Sequence, residues 1–166
     1  LLIRPETGRI IDANQAAVSY YGYSREQITS MNITEINTLT GEQVIQRMKL
    51  ARTQQQRLFT FRHRLASGEV RDVEVYSGPI VVSGETLLYS IVHDVTERKR
   101  AEEELKEERA RLAATLESMP EEVWIADKDM RLTLVNRAAK ENLGENAGIG
   151  QQIEKAVTRY EVYRID

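Results

Sequence analysis

Short hydrophobic runs open the chain and predict a hairpin followed by a helix. Residues 1–3 and 9–13 are apolar segments separated by a turn-forming stretch, and two short strands joined tightly favour a β-hairpin. Asn14 is placed to cap a helix that continues to Tyr21. Gly22 follows as the glycine that commonly ends a helix.

Three helix starts follow, each marked by a polar N-cap residue that precedes Gln or Glu by three positions. The pairs are Ser24 with Gln27, Asn32 with Glu35, and Thr40 with Gln43. The third pair leads into residues 42–51, where Val44, Ile45, Met48 and Ala51 recur at helical spacing. The pattern therefore predicts three or four short helices after the hairpin.

Longer segments of alternating character then predict three strands, at residues 58–65, 69–82 and 85–95. Apolar residues fall on both faces of these strands, which indicates that the outer surface of the sheet is also covered, by a flanking helix or a second subunit. Grouped rather than alternating elements predict an α+β fold, a five-stranded antiparallel sheet with short helices on one face. Such a sheet forms a cup that is either filled by side chains or holds a small ligand.

A highly charged segment follows the last strand. Twelve of the sixteen residues from 96 to 111 are charged, six acidic and six basic, and such interleaved charge favours a solvated helix. Thr96 is placed to cap its start, and Pro120 lies just past its end. We therefore expect a linker helix over residues 97–118.

Apolar residues on this helix form one clear seam. Leu105, Leu112 and Met119 recur every seven residues, Ala101 begins a weaker companion row, and Leu116 is also assigned to the seam. This spacing favours a marginal coiled coil, and we expect a homodimer through the linker helix and the surface of the first domain. The alternative is a single helix whose stripe packs on its own domain.

An internal repeat appears at an offset of 122 residues. Identical residues at this offset are Ile3 and Ile125, Arg9 and Arg131, Asn14 and Asn136, Ala16 and Ala138, Ala17 and Ala139, and Gly22 and Gly144. The repeat indicates two copies of one module, the second incomplete. We therefore predict three parts: residues 1–96, a linker at 97–118, and 119–166.

Composition excludes several classes of function. The chain of 166 residues has no Cys and two His, so disulfides, thiolate nucleophiles and a His- or Cys-based metal site are not expected. The net charge of −3 lacks the basic excess typical of nucleic-acid binders. No apolar run approaches the length of a membrane span, and no signal peptide is visible. A cytoplasmic piece of a longer protein is expected.

Three stretches together resemble the PAS domain family. Residues 8–17 with the Tyr-Gly-Tyr-Ser that follows resemble its opening, residues 59–64 resemble the first of its long strands, and residues 91–99 resemble its C-terminal PAC motif leading into a signalling helix. Residues 124–144 are similar to the start of a second PAS domain. The resemblance implies a sensory or dimerising module of a bacterial signalling protein, such as a two-component system.

In that family the signal passes through the helical linker to an effector, commonly a histidine kinase or a diguanylate cyclase. Asp94 and Thr96 match the family's Asp-x-Thr step, which implies that they bind the linker helix to the domain core. Thr96 is suited to satisfy backbone donors at the helix start, and Asp94 to pair with an arginine. The alternative is a simple cap with no role in signalling.

Candidate pocket residues are aromatic side chains and one histidine in and around the predicted cup: Tyr20, Phe59, Phe61, His63, Tyr76 and Tyr89. Each either contacts a ligand or fills space. Relatives that bind haem through histidine resemble one another in placing it on the long helix, and residues 40–56 contain none. The cysteine of light-sensing relatives is also missing, so haem and flavin are disfavoured and any ligand stays unidentified.

The leading hypothesis is therefore a non-catalytic sensor and relay module. The alternative is a ligand-free structural spacer or dimerisation domain. An enzyme has the least support, because the chain has no P-loop, no dinucleotide-binding glycine motif, no HExxH and no GxSxG.

Overall fold

A computed structural model describes residues 1–143 and 149–152 of the chain. The elements are, in order, β1 (Leu2–Ile3), β2 (Ile10–Asp12), α1 (Gln15–Tyr21), α2 (Arg25–Ser30), α3 (Ile33–Ile36), α4 (Gly41–Arg52), β3 (Leu58–Arg64), β4 (Val70–Val82), β5 (Glu85–Asp94), α5 (Thr96–Ser118), β6 (Trp124–Ala126), β7 (Leu132–Val135) and α6 (Arg137–Leu143). Two compact units divide the chain, Leu1–Glu102 and Glu103–Asp166. Among the described residues, no helix combines the length and the apolar character that a membrane span requires.

The first unit is the predicted five-stranded antiparallel sheet, with strand order β2-β1-β5-β4-β3. The four short helices lie between β2 and β3 in the chain and pack on one face of the sheet. Asn14, Ser24, Asn32 and Thr40 cap them as predicted, and the last three complete capping boxes. The α+β prediction is therefore confirmed.

The core lies between the helices and the inner face of the sheet. Tyr21, Ile28 and Ile36 from the helices are fully buried, as are Ile10 of β2 and Leu88 of β5. Gly22 ends α1 in the left-handed conformation, with φ of 75°. That turn allows the chain to start α2 immediately while Tyr21 remains in the core.

The outer face of the sheet carries no covering helix within the described residues. Leu58, Tyr76 and Ile91 form one cross-strand row on this face, and each is more than 40% exposed. The row is therefore open to solvent in the single chain, and cover by a second subunit stays a prediction.

The second unit contains the β6–β7 hairpin and α6, which repeat β1, β2 and α1 of the first unit. Among the described residues, Leu132, Val135 and Ala139 form its buried apolar cluster, and Trp124 packs against them. Asn136 accepts a hydrogen bond from the Ala139 N–H, as Asn14 does from Ala17. Gly144 of the predicted repeat lies outside the described residues.

Candidate functional site

The junction between β5 and α5 is held by the first residue of the helix. Thr96 is 3% exposed. Its Oγ1 accepts a hydrogen bond from the Asp72 backbone N–H at 2.9 Å and lies 3.4 Å from the Asp72 carbonyl oxygen, to which it donates. The hydroxyl therefore continues the β4–β5 ladder by one step and ties the start of α5 to β4.

Asp94 performs the capping role that was predicted for Thr96. Its Oδ1 accepts the Thr96 N–H at 2.8 Å, and its Oδ2 lies 3.5 Å from Arg71 Nη1, the expected arginine partner. The prediction that Thr96 caps the helix is wrong, because the threonine hydroxyl is already bonded to the backbone of β4. Asp94 therefore fixes the start of the helix, and Thr96 joins that start to the sheet.

Charge at the junction favours the ionised form of Asp94. Partial burial alone would raise the pKa of Asp94, but hydrogen bonds from Thr96, the nearby Tyr20 hydroxyl and the positive charge of Arg71 outweigh it and hold the pKa below its usual range. Burial first, and then the Asp94 carboxylate, raise the pKa of Tyr20 well above its usual range. The junction therefore keeps a neutral tyrosine beside an ionised aspartate.

Two ion pairs join the first turn of α5 to β4. Lys99 Nζ lies 2.7 Å from Asp72 Oδ1, and Arg98 Nη2 lies 2.7 Å from Glu74 Oε1. Sequence reasoning missed both partners because Glu74 precedes Arg98 by 24 residues and Asp72 precedes Lys99 by 27. The available signal was a pair of acidic side chains at alternate positions of a strand, opposite a basic helix start.

A small cavity of about 40 Å³ lies between the helices and the inner face of the sheet. Phe59, Phe61 and His63 of β3 line it together with aliphatic side chains, and the rings of Phe59, Phe61 and His63 stack in sequence. Ser77 and Ser90 are the hydroxyl groups of its wall. A flavin or haem does not fit this volume unless core side chains move, since ligand pockets of that kind measure several hundred Å³.

The other contact of Ser77 determines which of the Ser77 and Ser90 hydroxyls donates to the other. Ser77 Oγ donates to the Tyr89 carbonyl at 2.9 Å, so the 3.0 Å contact between the two hydroxyls is donated by Ser90. The Ser90 oxygen therefore keeps its own acceptor capacity at the wall of the cavity, whose polar lining also includes Asn37, Arg47 and His63.

A buried hydrogen-bond chain runs from α1 to β3 and on to the residue after α3. Tyr21 Oη lies 2.8 Å from His63 Nδ1, and His63 Nε2 lies 3.3 Å from Asn37 Nδ2. Asn37 Oδ1 accepts the Leu39 N–H, so its amide nitrogen must face the histidine, and Nε2 must be the unprotonated nitrogen. His63 is therefore neutral with its proton on Nδ1, and burial lowers its pKa to about 4.

The structure separates the six candidate pocket residues. Phe59, Phe61 and His63 line the inner cavity, whereas Tyr20 and Tyr89 line a wider open cleft of about 500 Å³ between α1 and the edge of β5. Tyr76 is on the outer face, 45% exposed, with its ring edge-on to His93. Its placement in the pocket is wrong, because the strand alternation of β4 turns Val75 and Ser77 inward.

The seam residues of α5 are largely exposed within the described residues. Leu105 and Leu112 are more than half exposed and Met119 is 38% exposed. Ala101 is exposed as well, and Leu116 is half-buried. The stripe is thus available for an additional contact, and the dimer remains a prediction.

Two curated proteins show the range of similar chains. A diguanylate cyclase of Escherichia coli, DgcM, is 42% identical over 109 residues, which are 64% of this chain and 26% of the cyclase. A methyl sulfide methyltransferase-associated sensor of Methanosarcina acetivorans is 33% identical over 106 residues, which are 61% of this chain and 10% of that protein. The chain therefore spans about a quarter or less of these relatives.

Solved structures and family models agree on the fold. The PAS domain of a Desulfitobacterium hafniense protein matches with a TM-score of 0.53 at 21% identity, covering 57% of this chain and 89% of that structure. The PAS domain of an HTR-like protein from Haloarcula marismortui matches with a TM-score of 0.52 at 21% identity, covering 56% and 77%. Family models described as PAS domain match residues 1–97 and 110–163. The chain belongs to the PAS domain family.

Proposed function

We propose that this chain is the sensory part of a signalling protein and relays a conformational signal through α5 to an effector. In this proposal residues 1–96 sense, 97–118 transmit, and 119–166 begin a second PAS unit. The observation that carries it is the double contact of the Thr96 hydroxyl with Asp72. Because a rearrangement of β4 moves the group that holds the helix, sheet and helix are coupled without any catalytic step.

A diguanylate cyclase is the effector that the similarity favours. The matched region of the E. coli cyclase is only 26% of that protein, so the likeness concerns its sensor part. A histidine kinase, the other common effector of this family, is the second choice.

The proposed stimulus is a small molecule in the inner cavity. A volume of about 40 Å³ is several times what one water requires and suits a ligand of a few heavy atoms. Its wall is mostly apolar but carries the Ser90 oxygen and the charged Arg47, which favours a small ligand with at least one polar group. Mass spectrometry and an absorption spectrum of the purified protein test this, and a bound small molecule is expected.

A ligand-free spacer is the second candidate function. The small size of the cavity favours it, because side chains such as Phe59 and Met48 already occupy most of the cup. A colourless protein with no bound compound, together with an output that does not depend on the first unit, would favour the spacer.

We also propose that α5 pairs with a second copy along its seam. The exposure of Leu105 and Leu112 on a heptad spacing supports this. Sedimentation equilibrium is expected to show a dimer, and a monomer at high protein concentration would contradict the pairing.

Replacing Asp94 with alanine is expected to uncouple the first unit from its effector while leaving the fold intact. The substitution removes the acceptor for the Thr96 N–H and the partner of Arg71, so the start of α5 loses its fixed direction. The measurement is cyclic di-GMP synthesis by the full chain fused after residue 166 to a diguanylate cyclase domain. Output is expected to change toward that of the same fusion without residues 1–96.

The matched control is Asp12→Ala. Asp12 also accepts a backbone N–H and pairs with an arginine, Arg25, but it lies on β2, away from the junction. Its fusion should behave as the unmodified one does. Equal outputs from the Asp94 variant and the unmodified fusion would contradict the relay.

A further inference from the structure

A single side chain at the start of α6 bonds to three separate segments of the second unit. Asn136 is 1% exposed. Its Oδ1 accepts the backbone N–H groups of Val123 at 2.8 Å and Ala139 at 3.1 Å, and its Nδ2 donates to the carbonyl oxygens of Leu116 at 3.1 Å and Glu121 at 2.8 Å. The amide thus uses both of its donors and both of its acceptor sites.

These bonds serve the ends of two helices. The Ala139 contact is the ordinary N-cap of α6. The Leu116 carbonyl belongs to the last turn of α5, where carbonyl groups lack partners within the helix. One amide therefore caps the C-terminal end of α5 and the N-terminal end of α6.

Comparison with the repeat-related residue shows that capping alone does not require this arrangement. Asn14 is exposed and caps α1 through the Ala17 N–H. An aspartate or a serine would supply the same acceptor. Only the two donated bonds, to Leu116 and Glu121, require the amide nitrogen, and both are directed at the end of α5 and the turn that follows it.

A second contact joins the same two helices. Lys140 Nζ lies 2.9 Å from Glu117 Oε1, one turn along α6 from Asn136. The pair is about half exposed, so it is the weaker of the two ties. The ion pair nevertheless lies on the same face of α6 as the Asn136 contacts.

We propose that Asn136 is a positioning residue that fixes the last turn of α5 to the second PAS unit, so that a displacement of α5 reaches β7 and α6. This goes beyond the relay proposed above, because it makes the second unit the first receiver of the signal. In this proposal the Asn136 amide connects the two helices: its oxygen accepts from α6 and its nitrogen donates to α5.

The test is hydrogen exchange of the full 166-residue chain carrying Asn136→Asp. The aspartate keeps the acceptor for Val123 and Ala139 but turns an oxygen toward two carbonyl oxygens. Amides of residues 115–118 are expected to exchange about tenfold faster, since two buried hydrogen bonds are lost, while amides of residues 140–143 keep their protection. Asn136→Ser, which retains the cap but is too short to reach Leu116, is expected to act in the same direction and keeps the test valid if the aspartate variant unfolds.

The matched controls are Asn14→Asp and Asn14→Ser, which are expected to leave residues 115–126 unchanged. Transmission is then measured with Thr96→Val, which removes both contacts of the Thr96 hydroxyl with Asp72. In the otherwise unmodified chain this substitution should alter exchange in residues 124–135, and in either Asn136 variant that change should disappear.

Two outcomes would overturn the proposal. The first is that the amides of residues 115–118 exchange at the same rate in both Asn136 variants as in the unmodified chain. The other is a response of residues 124–135 to Thr96→Val that is absent throughout or persists in the Asn136 variants.

Discussion

Tyr21→Ala is expected to lower the free energy of unfolding of the first unit by about 3–5 kcal/mol, the usual cost of removing a large buried aromatic ring. The Tyr21 side chain is fully buried at the centre of the core. Its removal leaves a cavity and also takes away the partner of His63 Nδ1. Urea unfolding followed by far-UV circular dichroism measures the change.

Tyr21→Phe separates the two contributions. It keeps the ring and removes only the hydroxyl, so a loss of about 1–3 kcal/mol is expected from the unpaired histidine N–H. Trp124, the only tryptophan of the chain, lies in the second unit, so its fluorescence transition serves as an internal control and should not move. An alanine variant no less stable than the phenylalanine variant would contradict this account of the core.

Lowering the pH from 7 to 5 is expected to destabilise the first unit by about 2 kcal/mol through His63 alone. Burial lowers the pKa of His63 from 6.5 to about 4, so the unfolded chain binds a proton that the folded chain does not. The stabilisation is complete above pH 6.5 and is lost progressively as the pH falls toward 4. Protonation is further opposed because Nε2 faces the amide nitrogen of Asn37.

The measurement is the difference in unfolding free energy between the unmodified chain and His63→Gln across this pH range. The substitution removes the titrating group, so the variant should show a flatter profile, whatever its absolute stability. His93→Gln is the control, since His93 is exposed on the outer face, and it should keep the profile of the unmodified chain. Parallel profiles for all three proteins would contradict the buried neutral histidine.

Local features of the fold were predictable from the sequence because their physics is local. Each N-cap side chain accepts a hydrogen bond from an N–H group within three residues of it. Spacing alone therefore identifies Ser24, Asn32 and Thr40. The strands followed in the same way from alternation and turn residues. The register and the order β2-β1-β5-β4-β3 required the structure.

The functional contacts were less predictable because their partners are distant in sequence. The sequence identifies Thr96, but its bond to Asp72 spans 24 residues, so the role that the sequence predicts for it is that of a cap. Tyr76 is a pocket candidate by sequence because it lies on the predicted sheet, and only the register shows that it is on the outer face. Asn136 was found by the repeat, which gave its capping bond and not its bonds to α5.

The central claim is that the Thr96 hydroxyl holds α5 to the sheet, and hydrogen exchange of Thr96→Val tests it most directly, with Thr96→Ser as the matched control. The valine keeps the shape of threonine and removes both contacts with Asp72, whereas the serine retains the hydroxyl. Amides of residues 97–102 are expected to exchange about tenfold faster in the valine variant, and those of the serine variant to exchange as in the unmodified chain. Equal exchange in all three proteins would contradict the claim.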